Sequence, residues 1–167
     1  MTPDIIIREE TDADILAIRE VTVAAFDTPE NEHLTEHLIV EALRAADAMT
    51  VSMVAEVDGR VVGHVAFSPV TISDGATHWY GLGPISVLPE YQRKGIGAAL
   101  IHKGLTRLKT LDAKGCCLVG HPAYYVRFGF ENVAGLVYEG VSPKVFFALS
   151  FDGRFRRGPW RFMKGSM

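Results

Sequence analysis

The sequence predicts an α/β fold, a mixed β-sheet flanked by helices, carried by one domain. Three observations predict it. Over residues 80–111 a buried strand passes through a tight glycine-rich turn into a long amphipathic helix. Strand-like and helix-like periodicities alternate along the rest of the chain. A chain of 167 residues, 48% apolar and 22% charged, has enough material for one soluble core and little excess charge.

The elements follow in order. Residues 4–8, DIIIR, form a short first strand. Thr11 to Asp14 supply a helix N-cap and an acidic first turn, and Ile15, Ile18, Val21, Thr22 and Ala25 carry the first helix to Phe26. Pro29 breaks it, and a second helix spans 31–46. Residues 49–57 and 60–68 are strands joined by Asp58-Gly59, a hairpin turn pair. A polar loop, 69–78, leads to the central strand, where Leu82, Ile85, Val87 and Leu88 precede Pro89. Apolar residues at Ile96, Leu100, Ile101, Leu105, Leu108 and Leu111 then mark the long helix. Residues 116–120 are a buried strand, 121–127 a short helix opened by Pro122, and 145–151 a later strand. The tail is basic and fits no regular pattern. With no repeat or linker, 1–167 reads as one domain with its core over 4–151 and an irregular tail over 152–167.

Composition narrows the function. No apolar stretch reaches transmembrane length, and the acidic start MTPDIIIREE is not a signal peptide, so a cytoplasmic protein is expected. The two cysteines, Cys116 and Cys117, are adjacent, which argues for reduced core thiols and against zinc. Net charge is -3, yet residues 1–60 hold 14 of the 20 acids and 4 of the 17 basic residues. That bias either reflects solvated helix faces or lets the first part meet a cation while the second holds an anion. A nucleic-acid partner would ask for a basic chain overall.

The turn after Pro89 reads Gln92-Arg93-Lys94-Gly95-Ile96-Gly97. A strand-to-helix junction aims backbone N–H groups and the positive end of the helix dipole at one spot, where an anion is stabilised. Gly95 and Gly97 allow close approach, and Arg93 and Lys94 add charge. The pattern is neither GxxxxGK[ST] nor GxGxxG, which disfavours nucleoside triphosphates and dinucleotides.

Gln-x-x-Gly-x-Gly after a strand ending Val-x-Pro-x-Tyr resembles the acyl-CoA motif of the GNAT acetyltransferases. The element order β-α-α-β-β-β-α-β-α-β-β matches that family from about residue 4 to 151. GHPAYYVRFGF, residues 120–130, resembles a bacterial YhbS-like subgroup. The resemblance implies a GNAT fold with a splayed central sheet and acetyl-CoA as cosubstrate. It implies a pyrophosphate cradle made by Gln92, Arg93, Lys94, Gly95, Ile96, Gly97 and Ala98. A pantetheine arm would pair with the backbone of Ile85, Ser86 and Val87. Gly83-Pro84 either bulges the central strand, as in the family, or marks its start at Ile85.

The implied reaction is direct attack of a primary amine on the thioester in a ternary complex. The Val87 N–H would polarise the carbonyl, and Tyr125 would serve the leaving thiol as general acid. Tyr124 is its neighbour about 100° around the helix, so only one of the two reaches the sulfur; the other contacts cofactor, unless both are packing or surface residues. The base is open. The fifth strand carries no carboxylate, and His121 is a base, a cofactor contact or a loop-to-helix cap. Glu32, His33, Glu36 and His37 either line a cationic acceptor's site or form a solvated face. His33-Leu-Thr-Glu-His37 also matches an inverted zinc-protease motif, but no third ligand follows, and no metal is expected. The alternative is a CoA-binding sensor domain without turnover. The partners expected are acetyl-CoA and an amine acceptor, without nucleic acid or membrane, in a monomer or homodimer.

Overall fold

Asp58 and Gly59 both take positive φ, 51° and 78°, so the chain reverses in two residues between β2 (Val51–Val57) and β3 (Arg60–Pro69). This primed turn matches the right-handed twist of paired strands. The computed structural model describes residues 4–27, 36–73, 75–138, 140–153 and 160–163. A six-stranded sheet runs in the order β1-β2-β3-β5-β6-β8, with β1 (Ile5–Glu9), β5 (Trp79–Val87), β6 (Gly115–Val119) and β8 (Phe146–Ser150). It is mixed: β5 and β6 are parallel, whereas β1–β2, β2–β3 and β6–β8 are antiparallel. The chain falls into two units, Met1–Phe67 with Gly83–Arg107, and Ser68–Leu82 with Leu108–Ser166.

In the first unit, α1 (Ile15–Phe26) and α2 (Glu36–Ala45) share one core cluster with the sheet, made by Ile18, Val40 and Val54. Asp14 anchors the approach to α1. Its carboxylate takes two bonds from Arg8, 2.8 and 3.0 Å, and one from the Thr11 N–H, 2.7 Å. Arg8 first, and the Thr11 bond after it, hold that carboxyl near pKa about 2 despite burial. The other sheet face meets α3 (Ile96–Thr110) at close range. A side-chain carbon on Gly63 would lie 3.1 Å from Leu100 Cδ1 and 3.2 Å from Ile96 Cγ2. One on Gly104 would lie 2.2 Å from the fully buried Phe67 ring. Glycine at both places lets the helix and the strand touch.

The second unit has its own core, in which Ile72, Trp79, Cys117, Leu136, Phe146 and Ala148 pack together. Cys116 and Cys117 are buried free thiols, and burial pushes the Cys117 thiol up to about 12. A three-stranded sheet, β4-β9-β7, joins Thr71–Ile72, Trp160–Met163 and Leu136–Tyr138. Two expectations are corrected here. The loop over 69–78 contains β4, and the tail expected to be irregular contains β9, which pairs with β4 and β7. The central strand also starts earlier than Ile85, because Gly83-Pro84 lies inside β5 as a cis peptide with Gly83 at φ 144°. The β5–β6 ladder covers Trp79–Gly81 against Gly115–Cys117 and ends there, while β6 pairs with β8 along its whole length.

Candidate functional site

The turn that leads into α3 is built by its own backbone. A short 3-10 turn, Pro89–Tyr91, ends β5, and the Gln92 side-chain amide reaches back to donate to the Val87 carbonyl at 3.0 Å. Arg93 and Gly95 then take φ of 63° and 83°. Only glycine adopts the second freely, and Arg93 holds the first at a cost of order 1 kcal/mol. The first intrahelical bond of α3 runs from the Ala99 N–H to the Gly95 carbonyl, 3.0 Å. The N–H groups of Gly95, Ile96, Gly97 and Ala98 therefore have no acceptor within the helix, and Gly95 has no side chain to cap them. A Cβ on Gly95 would meet nothing within 4 Å, so the space beside this turn is open. Arg93, Lys94 and Gly95 are exposed, and Lys94 rests 5.6 Å over the Tyr91 ring. Oriented N–H donors, the positive end of a helix dipole and two nearby cations are features that stabilise an anion.

Ile85, Ser86 and Val87 are the last residues of β5, immediately before this turn. Ser86 is 2% exposed, and its hydroxyl has no partner among the described residues. A second buried polar group was not foreseen in the sequence. His64 on β3 is wholly buried, with Nε2 2.8 Å from the Ser52 Oγ and Nδ1 unpartnered. Burial disfavours the imidazolium and lowers the pKa to about 4; the nearby Glu10 raises it and Arg44 lowers it.

In the second unit, α4 (Pro122–Tyr125) presents the two candidate tyrosines. Tyr125 packs on Gly120, where a side-chain carbon would fall 2.3 Å from its ring, and edge-on to Phe130 at 6.3 Å. Burial first, and Tyr124 second, raise the Tyr125 phenol above its ordinary value, so it is a protonated donor at neutral pH. Tyr124 is occupied differently, with Arg127 stacked 4.8 Å from its ring centroid. His121 is exposed, and its carbonyl accepts from the Tyr124 N–H at 3.2 Å and the Tyr125 N–H at 3.5 Å. These bonds are made by the His121 backbone and set the residue immediately before α4.

The structure thus brings Ile85, Ser86, Val87, Gln92, Arg93, Lys94, Gly95, Ile96, Gly97 and Ala98 to one end of β5 and α3, and Tyr124 and Tyr125 to one short helix that His121 immediately precedes. Of the acceptor-wall candidates, Glu36 opens α2, with His37 next to it, while Glu32 and His33 lie outside the described residues. Among the described residues, no three His, Cys, Asp or Glu side chains gather as metal ligands, and no helix is long and apolar enough to cross a membrane.

Comparison with known proteins places a chain with these features in a family of acetyltransferases. A profile of the acetyltransferase (GNAT) family matches residues 15–130. The chain belongs to that family. A GNAT acetyltransferase from Brucella melitensis, solved in complex with acetyl-CoA, is 44% identical with a TM-score of 0.81 over 95% of this chain and 96% of that one. YhbS from Escherichia coli, solved in complex with CoA, is 28% identical with a TM-score of 0.89, covering 99% of this chain and 92% of that one. The uncharacterized N-acetyltransferase YjhQ of Escherichia coli K12 is 34% identical over 126 residues, 74% of this chain and 67% of its own length. The sequence match to YhbS spans 60% of that protein's length.

Proposed function

We propose that this chain is an acetyl-CoA-dependent N-acetyltransferase that acetylates a primary amine by direct attack in a ternary complex. The observation that carries the reading is the turn before α3, where four N–H groups without helical acceptors border open space beside Arg93 and Lys94. Those groups and Gln92 hold the pyrophosphate, and the end of β5 at Ile85, Ser86 and Val87 takes the pantetheine arm. The relatives solved with acetyl-CoA and CoA support this assignment. Acetyl-CoA supplies an activated acyl group as a thioester. A C–N bond forms to the acceptor as the C–S bond breaks. The Val87 N–H steadies the carbonyl oxygen as it gains charge, an effect on the order of a hundredfold for one good donor.

Tyr125 serves the thiolate. A phenol near ~10 is a weaker acid than a thiol near ~8.5, so full transfer is uphill by roughly 2 kcal/mol in water. Tyr125 therefore acts by hydrogen bonding as much as by proton donation, and its raised phenol fits that role. Tyr124 and His121 stand beside it as cofactor contacts. Glu32, His33 and Glu36 are proposed to bind a cationic acceptor. The whole chain then works as one acetyltransferase domain, in the cytoplasm, where Cys116 and Cys117 stay reduced.

A second reading is a CoA-binding sensor without turnover, favoured by a β6 strand, GCCLV, that carries no carboxylate. The deciding test titrates the protein with acetyl-CoA and follows melting, alongside Gly97→Glu. Ligand at a hundred times its dissociation constant should add about 2.7 kcal/mol to the parent and nothing to the variant. No rise in a folded parent sinks both readings. A rise with no acetylated product across a panel of primary amines leaves the sensor.

A further inference from the structure

Three buried side-chain polar atoms lack a partner among the described residues: His37 Nδ1, His64 Nδ1 and Ser86 Oγ. An orphaned buried polar atom is costly, and each one asks for an explanation. All three belong to the first unit, and the sheet register relates them. His64 is the cross-strand partner of Val54, and such partners face the same side. Val54 packs with Ile18 of α1 and Val40 of α2, so His64 faces those helices, while its neighbour Gly63 faces α3. Ser52, two residues before Val54, shares the face and takes His64 Nε2 at 2.8 Å. On the other flank, the Leu88 N–H bonds the Val62 carbonyl at 2.8 Å. Counting two residues inward on each strand sets Ser86 opposite His64. His37 lies one turn before Val40 on α2.

Ser52, His64 and Ser86 thus form a polar row across three neighbouring strands. One end is on β5, which we read as the cofactor strand. The other end opens on a cavity of about 300 Å³ lined by Glu9, Glu10, Arg44, Asp47, Thr50 and Ser52. A neutral imidazole can accept at one nitrogen while donating from the other, which moves a proton through an apolar layer with no net charge on the ring.

We propose that His64 is the proton relay of the acetyl transfer, carrying the acceptor amine's proton from a water at Ser86 to Ser52 and the cavity. This rests on the acetyltransferase reading. The amine loses one N–H proton to the bridging water as the C–N bond forms. That water gives a proton to His64 Nδ1, the Nε2 proton passes to Ser52 Oγ, and the Ser52 hydroxyl proton goes to cavity water. Each bond to hydrogen that breaks is matched by one that forms. The ring ends as its other tautomer and resets by the reverse exchange with solvent. His64 is a positioning residue here, since it reaches the amine only through water.

The test reads the ring nitrogens in protein carrying ¹⁵N-histidine, with His64 assigned from the signal missing in His64→Gln. The relay requires a resting Nε2–H tautomer with a bare Nδ1, and an Nδ1 resonance that moves when acetyl-CoA is added. Ser52→Ala should abolish the tautomer preference. With an amine from the screen, Ser52→Ala and His64→Gln should each lower kcat about a hundredfold and leave KM for acetyl-CoA unchanged. A resting Nδ1–H tautomer overturns the relay. So does an unmoved His64 at an acetyl-CoA concentration that raises melting. A flat melting response instead removes the cofactor reading and the relay with it.

Discussion

The Gln92 side-chain amide donates to the Val87 carbonyl at 3.0 Å, tying the turn before α3 to the last residue of β5. The bond joins two parts of the proposed cofactor site and adds to the backbone bonds from Tyr91 to Leu88 and from Gln92 to Pro89. Gln92→Ala removes one exposed hydrogen bond, worth about 0.5–1.5 kcal/mol. Global stability should fall by less than that, since the turn is at the surface. Affinity for acetyl-CoA should weaken about tenfold, because ligand must then order the turn itself. Calorimetric titration of both proteins checks it; equal affinities would mean that Gln92 only decorates the turn.

Gly104 is inside α3, where alanine is normally preferred by about 1 kcal/mol. Here the added carbon would lie 2.2 and 2.4 Å from two atoms of the fully buried Phe67 ring. Overpacking of this kind costs about 1–3 kcal/mol, so the helix-propensity gain is outweighed. Gly104→Ala should lower the urea midpoint with an unchanged slope. An increase would show that Phe67 can shift without loss.

Acid should destabilise the fold in two stages. Burial lowers the folded His64 pKa to about 4, below the ordinary value near ~6.5, so between these values the unfolded chain binds the extra proton. Stability is therefore full above ~6.5 and falls as pH drops toward 4, by about 2 kcal/mol between pH 7 and pH 5 for this group alone. Asp14, held near pKa about 2 chiefly by Arg8, keeps its contribution above its ordinary value and loses it below. Urea unfolding at pH 7, 6 and 5 checks the first stage. His64→Gln should flatten the slope over that window; an unchanged slope would assign it to other groups.

How much was legible follows from how local each signal is. Ile96, Leu100, Ile101, Leu105 and Leu108 are all buried as their spacing required, while Leu111, one residue beyond α3, is 37% exposed. The Asp58-Gly59 turn and the glycines of the α3 junction are likewise written in consecutive residues. The Ser52–His64 pair is not. Counting from Val57↔Arg60 would set His64 opposite Met53, but a bulge at Ala55/Glu56 shifts the register and sets it opposite Val54. A one-residue slip turns a side chain to the other face, and the bulge leaves Val62 unmatched beside Gly63, whose presence in the strand is a sign of a bulge but does not fix its place. The small sheet stayed hidden because β4, β7 and β9 have two, three and four residues. Alternation cannot be read over so few positions, and distant pairing decides them.

Gly120 and Tyr125 offer a test of the leaving-group role that spares the phenol itself. A side-chain carbon at Gly120 would sit 2.3 Å from Tyr125 Cε2 and 2.9 Å from Cδ2, so Gly120→Ala must push the ring off its seat. Tyr125→Phe keeps the ring and removes the hydroxyl. If the hydroxyl serves the thiolate, both variants should lower kcat with little change in KM for acetyl-CoA. The loss should be about a hundredfold, the low end for acid–base groups, because a thiol near ~8.5 already leaves well. Combining the two should cost no more than the larger single loss, since they disturb one function. Tyr124→Phe, which keeps the ring that Arg127 stacks on, should be near neutral. A large loss in Tyr124→Phe with a silent Tyr125→Phe would exchange the two assignments.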